Sequence, residues 1–188
     1  MNTPNKLTLL RMFITPVFLA VFLIGSIPHH YLWALIIFAI GSLTDFIDGK
    51  LARKNNQVTV FGKLADPIAD KMLTTAALLA LMTVWLCNVW IIMIVLTREF
   101  AITSFRMVAS SQGIIIPANI WGKLKTASQM TFTILILLFT ELEDCGIWFE
   151  NISLPFVSNL LLWITAALTA ISGVIYVVKS VKLIDFSK

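Results

Sequence analysis

Charge is what this sequence has least of. Asp, Glu, Lys and Arg make up 13% of 188 residues, against about a quarter in an average soluble domain. With 59% hydrophobic residues and a mean hydropathy of +0.91, a water-soluble globule is excluded and an integral membrane protein remains. Two cysteines, Cys87 and Cys145, both fall on the predicted outer side, where a disulfide is geometrically possible; two isolated thiols in a membrane protein are more often unpaired, and they carry no catalytic case. No internal repeat, low-complexity tract or soluble domain is visible. The longest polar connection, 141–153, is too short to fold alone, so residues 1–188 read as one domain. No groove of interleaved basic and aromatic residues is present, which leaves no case for nucleic acid as a partner.

What is present is a series of apolar runs, over 7–24, 31–43, 72–85, 89–108, 118–140 and 154–178. Several reach the roughly 20 residues that cross a bilayer as a helix. They predict an all-α polytopic membrane protein with six transmembrane helices. Lys6 and Arg11 ahead of the first run imitate a signal peptide, but LIGSIPHH offers no small-residue cleavage site, so the run is expected to stay as a first helix, kinked at Pro16. All 14 Lys and Arg fall in or next to the N-terminal segment, the second and fourth connections, the tail, or at Arg98 within helix four. The connections around 25–30, 87–88 and 141–153 have none. The positive-inside rule therefore predicts cytoplasmic N- and C-termini and a multi-pass protein of the cell membrane. The six tryptophans, Trp33, Trp85, Trp90, Trp121, Trp148 and Trp163, read mostly as interfacial anchors.

One stretch breaks the apolar pattern: TDFIDGKLARKNNQVTVFGKLADPIADK, from Thr44 to Lys71. Asp45 and Asp48 are three residues apart and Asp66 and Asp70 four apart, so on helices each pair lies on one face, roughly 60° and 40° apart around the axis. The short connection through Asn55, Asn56 and Gln57 brings the pairs together on the cytoplasmic side. Four carboxylates beside a low-dielectric slab need counter-charge. A divalent metal supplies it, and an all-oxygen donor set suits Mg²⁺ or Mn²⁺ rather than Zn²⁺. The alternative is purely structural neutralisation by Arg53, Lys54, Lys63 and Lys71. Gly49 and Ala52 leave room for a phosphate to approach the backbone while Arg53 makes forked contacts to it. Gly62 is expected to break the connection before helix three, and Pro67 to mark that helix's start. The implied ligand is a metal-bound diphosphate at the membrane surface.

Asp45-x2-Asp48-Gly49-x2-Ala52-Arg53-x8-Gly62-x3-Asp66-x3-Asp70 resembles the complete signature of the CDP-alcohol phosphotransferase family, with every fixed position present. The resemblance implies a homodimer of six-helix subunits with a two-metal site facing the cytoplasm. It implies Asp45, Asp48, Asp66 and Asp70 as metal ligands and Asp70 also as the base that takes the acceptor's proton. Gly49, Ala52, Arg53, Thr59 and Gly62, with the polar stripe Asn5, Thr8 and Arg11, are implied to lie against a CDP-linked lipid donor. Without the family, an interfacial anchor with a snorkelling Arg11 explains that stripe equally well, and Thr59 reads as an ordinary loop residue.

The acceptor depends on the later helices. Arg98 and Arg106 lie about two turns apart on one face of helix four, with Glu99 as a candidate partner for the buried arginine, and Lys123 and Lys125 open helix five. Together they suit an anionic acceptor, or else serve as positive-inside anchors. TREFAITSFRMVASSQG, WGKLKTASQM and the opening TPNKLTLLRMFITPVF resemble those family members that join CDP-diacylglycerol to glycerol 3-phosphate, a resemblance that runs from Asn2 to about Gln129. Sister enzymes using phosphatidylglycerol, inositol phosphate or serine share the aspartate signature. A divalent-cation transporter is the rival from another class, but the acids cluster at one interface and leave no polar path through the outer half of the helices.

Overall fold

The computed structural model describes residues 3–55, 60–114, 120–148 and 151–181, with side chains described at 8–44, 68–69 and from 71 onward within those ranges. These residues form six α-helices and no strand: α1 (Thr3–Leu23), α2 (His30–Asn55), α3 (Val60–Thr83), α4 (Val89–Ser111), α5 (Ile120–Asp144) and α6 (Leu154–Val181). α1 continues through Pro16. One expectation is corrected at α3, which begins at Val60, so that Gly62 and Pro67 both lie inside it. Proline removes a single N–H, which leaves only the Lys63 carbonyl without its helical donor, and a helix can absorb that loss near its start.

Short connections make successive helices antiparallel. α1 packs on α2 and α3, α5 on α6 and α2, and α4 on α6. Between α1 and α2 the seam is aromatic: the Phe18 ring lies 5.9 Å from Phe38 and the Phe22 ring 5.2 Å from Tyr31. Toward the aspartates the seam narrows at Gly41. A Cβ there would stand 3.4 Å from Ile14 Cγ2 on α1 and 2.6 Å from Leu73 Cδ2 on α3. At Gly41 a side chain would therefore collide with α3 and press on α1, so the missing Cβ lets the three helices meet at this level.

Polarity runs inside out. The buried face of α6 carries Ser158, Thr165, Thr169, Ser172 and Ser180, while Leu160, Trp163, Ile171, Val174 and Val178 face outward. Each hydroxyl closes on its own helix, as in Thr169 Oγ1 to the Thr165 carbonyl at 2.7 Å and Ser180 Oγ to the Tyr176 carbonyl at 2.8 Å. Small and hydroxyl residues let helices approach closely without the help of water. α5 repeats the scheme, with Lys125, Gln129, Thr133 and Thr140 buried and Ile120, Leu124 and Leu138 exposed. Large apolar side chains thus face outward along both helices, an arrangement that marks a surface for a membrane or a partner. By length and composition, α6 is the one helix among the described residues that clearly can cross a membrane; shorter apolar segments cover Thr8–Leu23, His30–Thr44 and Lys71–Thr83. Charged residues within helices two to five lower their hydropathy below that of a plain span.

Candidate active site

The register at Gly41 places the aspartates. Asp45 lies four residues beyond Gly41 on α2, Asp70 three before Leu73 on α3, and Arg11 three before Ile14 on α1. On antiparallel neighbours these offsets run the same way, so the backbones of Arg11, Asp45 and Asp70 share one level, about 5 Å from the Gly41 contact. One turn further on come Thr8, Asp48 and Asp66. Arg11 is 2% exposed and Thr8 1% exposed, so both turn into the bundle, and a snorkelling interfacial Arg11 does not describe the structure. Thr15 Oγ1 donates to the Arg11 carbonyl at 3.1 Å. Asn5, Asp45, Asp48, Gly49, Ala52, Arg53, Gly62, Asp66 and Asp70 are placed by their backbones alone, and Thr59 lies outside the described residues. The donor set fits a hard divalent cation: four carboxylates on two adjacent helix segments supply oxygen alone.

Beside Asp70 begins a second cluster, centred on Glu99. Its Oε1 accepts from Lys125 Nζ at 2.7 Å and from Arg98 Nη1 at 2.9 Å. Lys71, which follows Asp70 directly, reaches across from α3. Its Nζ donates to the Glu99 carbonyl at 3.2 Å and to Thr103 Oγ1, and stands 3.8 Å from Glu99 Oε2. Three cations thus surround one carboxylate and leave a surplus of two positive charges. Arg98 passes through a slot of small residues. A Cβ on Gly173 of α6 would lie 3.0 Å from Arg98 Cγ, and one on Gly122 of α5 would lie 3.4 Å from its Nη2. Arg98 Nε is buried without a hydrogen-bond partner among the described residues. A buried donor in that condition is costly, and an anion lying against the guanidinium relieves it.

The four cations expected at the acceptor therefore part company. Arg98 and Lys125 meet on Glu99. Arg106, about 12 Å along α4, donates from Nε to the Tyr176 hydroxyl at 3.3 Å, with its guanidinium 5.5 Å from the ring centre. Lys123 is exposed while Lys125 is buried, because two residues along a helix turn about 200°. Sequence reasoning missed Lys71 as a member of this cluster and treated it as a counter-charge for the aspartates. It missed Thr103 and the Gly122–Gly173 slot altogether. A lysine one residue after a signature aspartate, on a helix that must face other helices, was the available signal.

Acid pairs placed by their backbones and a cationic cluster joined to them through consecutive residues, at one end of an all-helical bundle with an apolar exterior, make a class of site suited to phosphate esters. The profile of the CDP-alcohol phosphatidyltransferase family matches residues 1–171, and the chain belongs to that family. It is 39% identical over 183 residues to the CDP-diacylglycerol–glycerol-3-phosphate 3-phosphatidyltransferase of Bacillus subtilis, covering 92% of this chain and 91% of that protein. Similarity to the protein of the same name from Rickettsia typhi is 38% over 175 residues, covering 93% and 94%. To a probable phosphatidylglycerophosphate synthase of Mycobacterium tuberculosis it is 36% over 188 residues, covering 96% and 82%.

Proposed function

We propose that this chain transfers the phosphatidyl group of CDP-diacylglycerol to glycerol 3-phosphate, releasing CMP and phosphatidylglycerophosphate. The observation that carries the reading is the doubly positive Glu99 cluster beginning one residue after Asp70. A phosphate monoester carries close to two negative charges near neutrality, and Lys71, Arg98 and Lys125 offer it donors without a neutral acceptor's hydroxyl pattern. Bound there, the acceptor projects its hydroxyl toward the aspartate end. Asp70 takes the hydroxyl proton. The oxygen forms its bond to the lipid-side phosphorus as the bond to CMP breaks. Asp45, Asp48, Asp66 and Asp70 would hold two divalent ions, Mg²⁺ or Mn²⁺, whose charge would neutralise the diphosphate. Asn5, Thr8, Arg11, Gly49, Ala52, Arg53, Thr59 and Gly62 hold the donor, the glycines by allowing close approach and the arginines by forked contact. Arg106 and Lys123 draw the anionic acceptor toward the site by field rather than by contact.

All six helices are assigned as membrane spans. The inside-out polarity of α5 and α6 supports this, as do Phe13, Val17, Ile40 and Met93 exposed on α1, α2 and α4. Both termini and the active site are assigned to the cytoplasmic face, and the working unit to a homodimer in the cell membrane. The test is CMP release by purified protein in detergent with CDP-diacylglycerol, comparing glycerol 3-phosphate with phosphatidylglycerol, inositol phosphate and serine. Release with glycerol 3-phosphate alone, lost on chelation, restored by Mg²⁺ and absent in Asp70→Asn, is the expected result. Release with another acceptor instead moves the chain to a sister activity, and release unaffected by chelation removes the metals from the mechanism.

A further inference from the structure

We propose that the end of the bundle opposite the aspartates carries a separate site for a zinc-type divalent cation, formed by His29, Glu141 and Cys145. The three residues come from two places in the chain. His29 closes the turn before α2, Glu141 lies in the last turn of α5, and Cys145 follows one turn later on the same face, its N–H bonded to the Glu141 carbonyl at 2.9 Å. His29 Nδ1 lies 2.6 Å from Glu141 Oε1, Cys145 Sγ 3.5 Å from that oxygen, and Sγ 3.8 Å from Nδ1. With zinc bonds of about 2.3 Å to sulfur and about 2.1 Å to nitrogen and oxygen, tetrahedral angles separate sulfur from either partner by about 3.6 Å and nitrogen from oxygen by about 3.4 Å. Both sulfur distances already match. The imidazole alone must swing outward by about 0.8 Å to meet the tetrahedral spacing, and it sits on a turn with its side chain 60% exposed.

The carboxylate is already oriented. Glu141 is 5% exposed, and its Oε2 accepts from the Leu32 N–H of α2 at 3.0 Å, leaving Oε1 directed at the other two groups. A ligand fixed by a backbone donor on its other oxygen is the usual supporting arrangement of a metal site. Capping of α2 by Glu141 explains the carboxylate and its bond to His29, yet gives no role to a thiol held in the same reach. Sulfur, nitrogen and one carboxylate oxygen select zinc over Mg²⁺. On binding, the Cys145 thiol proton leaves to solvent, the His29 ring proton resides on Nε2, and Nδ1, Sγ and Oε1 bond the ion. His29 and Cys145 are both exposed, so water takes the fourth position. Lys125 and Glu141 are 16 positions apart on α5, about 24 Å, which keeps this site clear of the transferase centre.

The test is Co²⁺ titration of the full-length protein in detergent with excess Mg²⁺ present, followed by absorption. One equivalent of Co²⁺ is expected to produce thiolate-to-cobalt charge transfer that Zn²⁺ abolishes. Cys145→Ser removes the band, Cys87→Ala leaves it, and His29→Gln weakens binding at least about tenfold. All three keep CMP release, so a failed metal test and a failed transferase reading are distinguishable. No charge-transfer band in the wild type, a band that depends on Cys87, or unchanged affinity in His29→Gln overturns the site.

Discussion

At the residue scale, the arrangement around Glu99 separates charges that act by contact from charges that act at a distance. Lys125 and Arg98 converge on one oxygen of that carboxylate, and Lys71 joins from the neighbouring helix. Removing one of three cations that hold a phosphate forfeits a charge-assisted hydrogen bond. Lys125→Met and Lys71→Met are therefore each expected to raise KM for glycerol 3-phosphate about 10- to 100-fold, with KM for CDP-diacylglycerol unchanged. Steady-state kinetics with each substrate varied in turn checks this; equal effects on both substrates place the cluster elsewhere. Lys123→Met, on the exposed face, is expected to change KM less than about threefold.

The two thiols differ as sharply. Cys87 is buried and its hydrogen-bonding reach ends at the Asn88 carbonyl, 3.6 Å away. Burial pushes its pKa up to about 12, so at pH 8 only about one molecule in ten thousand carries the thiolate. Cys145 is free and exposed. Maleimide followed by mass spectrometry is expected to modify Cys145 and spare Cys87 in the folded protein, with Cys87 reacting only after denaturation. Rapid labelling of Cys87 contradicts its burial.

At the scale of elements, small residues decide where helices and side chains meet. Gly173 clears the path of Arg98, and a Cβ placed there already stands 3.0 Å from Arg98 Cγ. Gly173→Leu pushes the guanidinium out of its slot, so a loss of at least about tenfold in kcat/KM for the acceptor is expected, alongside about 1–3 kcal/mol of overpacking cost. A thermal shift measured beside kinetics separates the two effects. Thr169 behaves oppositely. Its hydroxyl returns to a carbonyl of its own helix, so Thr169→Val keeps shape and is expected to alter stability by less than about 1 kcal/mol. A larger loss means that the hydroxyl holds a second helix.

At the scale of the whole molecule, an apolar exterior around a polar interior places the aspartate end and the His29–Glu141–Cys145 end on opposite membrane faces once the helices span. In intact cells, a membrane-impermeant maleimide is expected to reach Cys145 from outside, while cysteines introduced at Lys179 react only after permeabilisation. The reverse pattern inverts the assigned orientation.

Composition and local periodicity determined the all-helical class, the count of six helices and the family signature. Each of these depends on neighbours within a few residues or on bulk transfer energy. Only the tertiary structure decided which charges work together. Clustered positive charge near the aspartate connection makes Lys71, Lys123 and Lys125 equivalent as topology signals, and helices apolar around most of their circumference offer no moment from which to read a buried face. Packing broke that equivalence. It turned Lys125 inward and Lys123 outward, carried Lys71 to the carbonyl of Glu99, 28 residues away, buried Arg11 level with Asp45, and brought His29 to Glu141 across 112 residues. Contacts over such separations are set by helix register, and register belongs to the assembled bundle rather than to any one segment of chain.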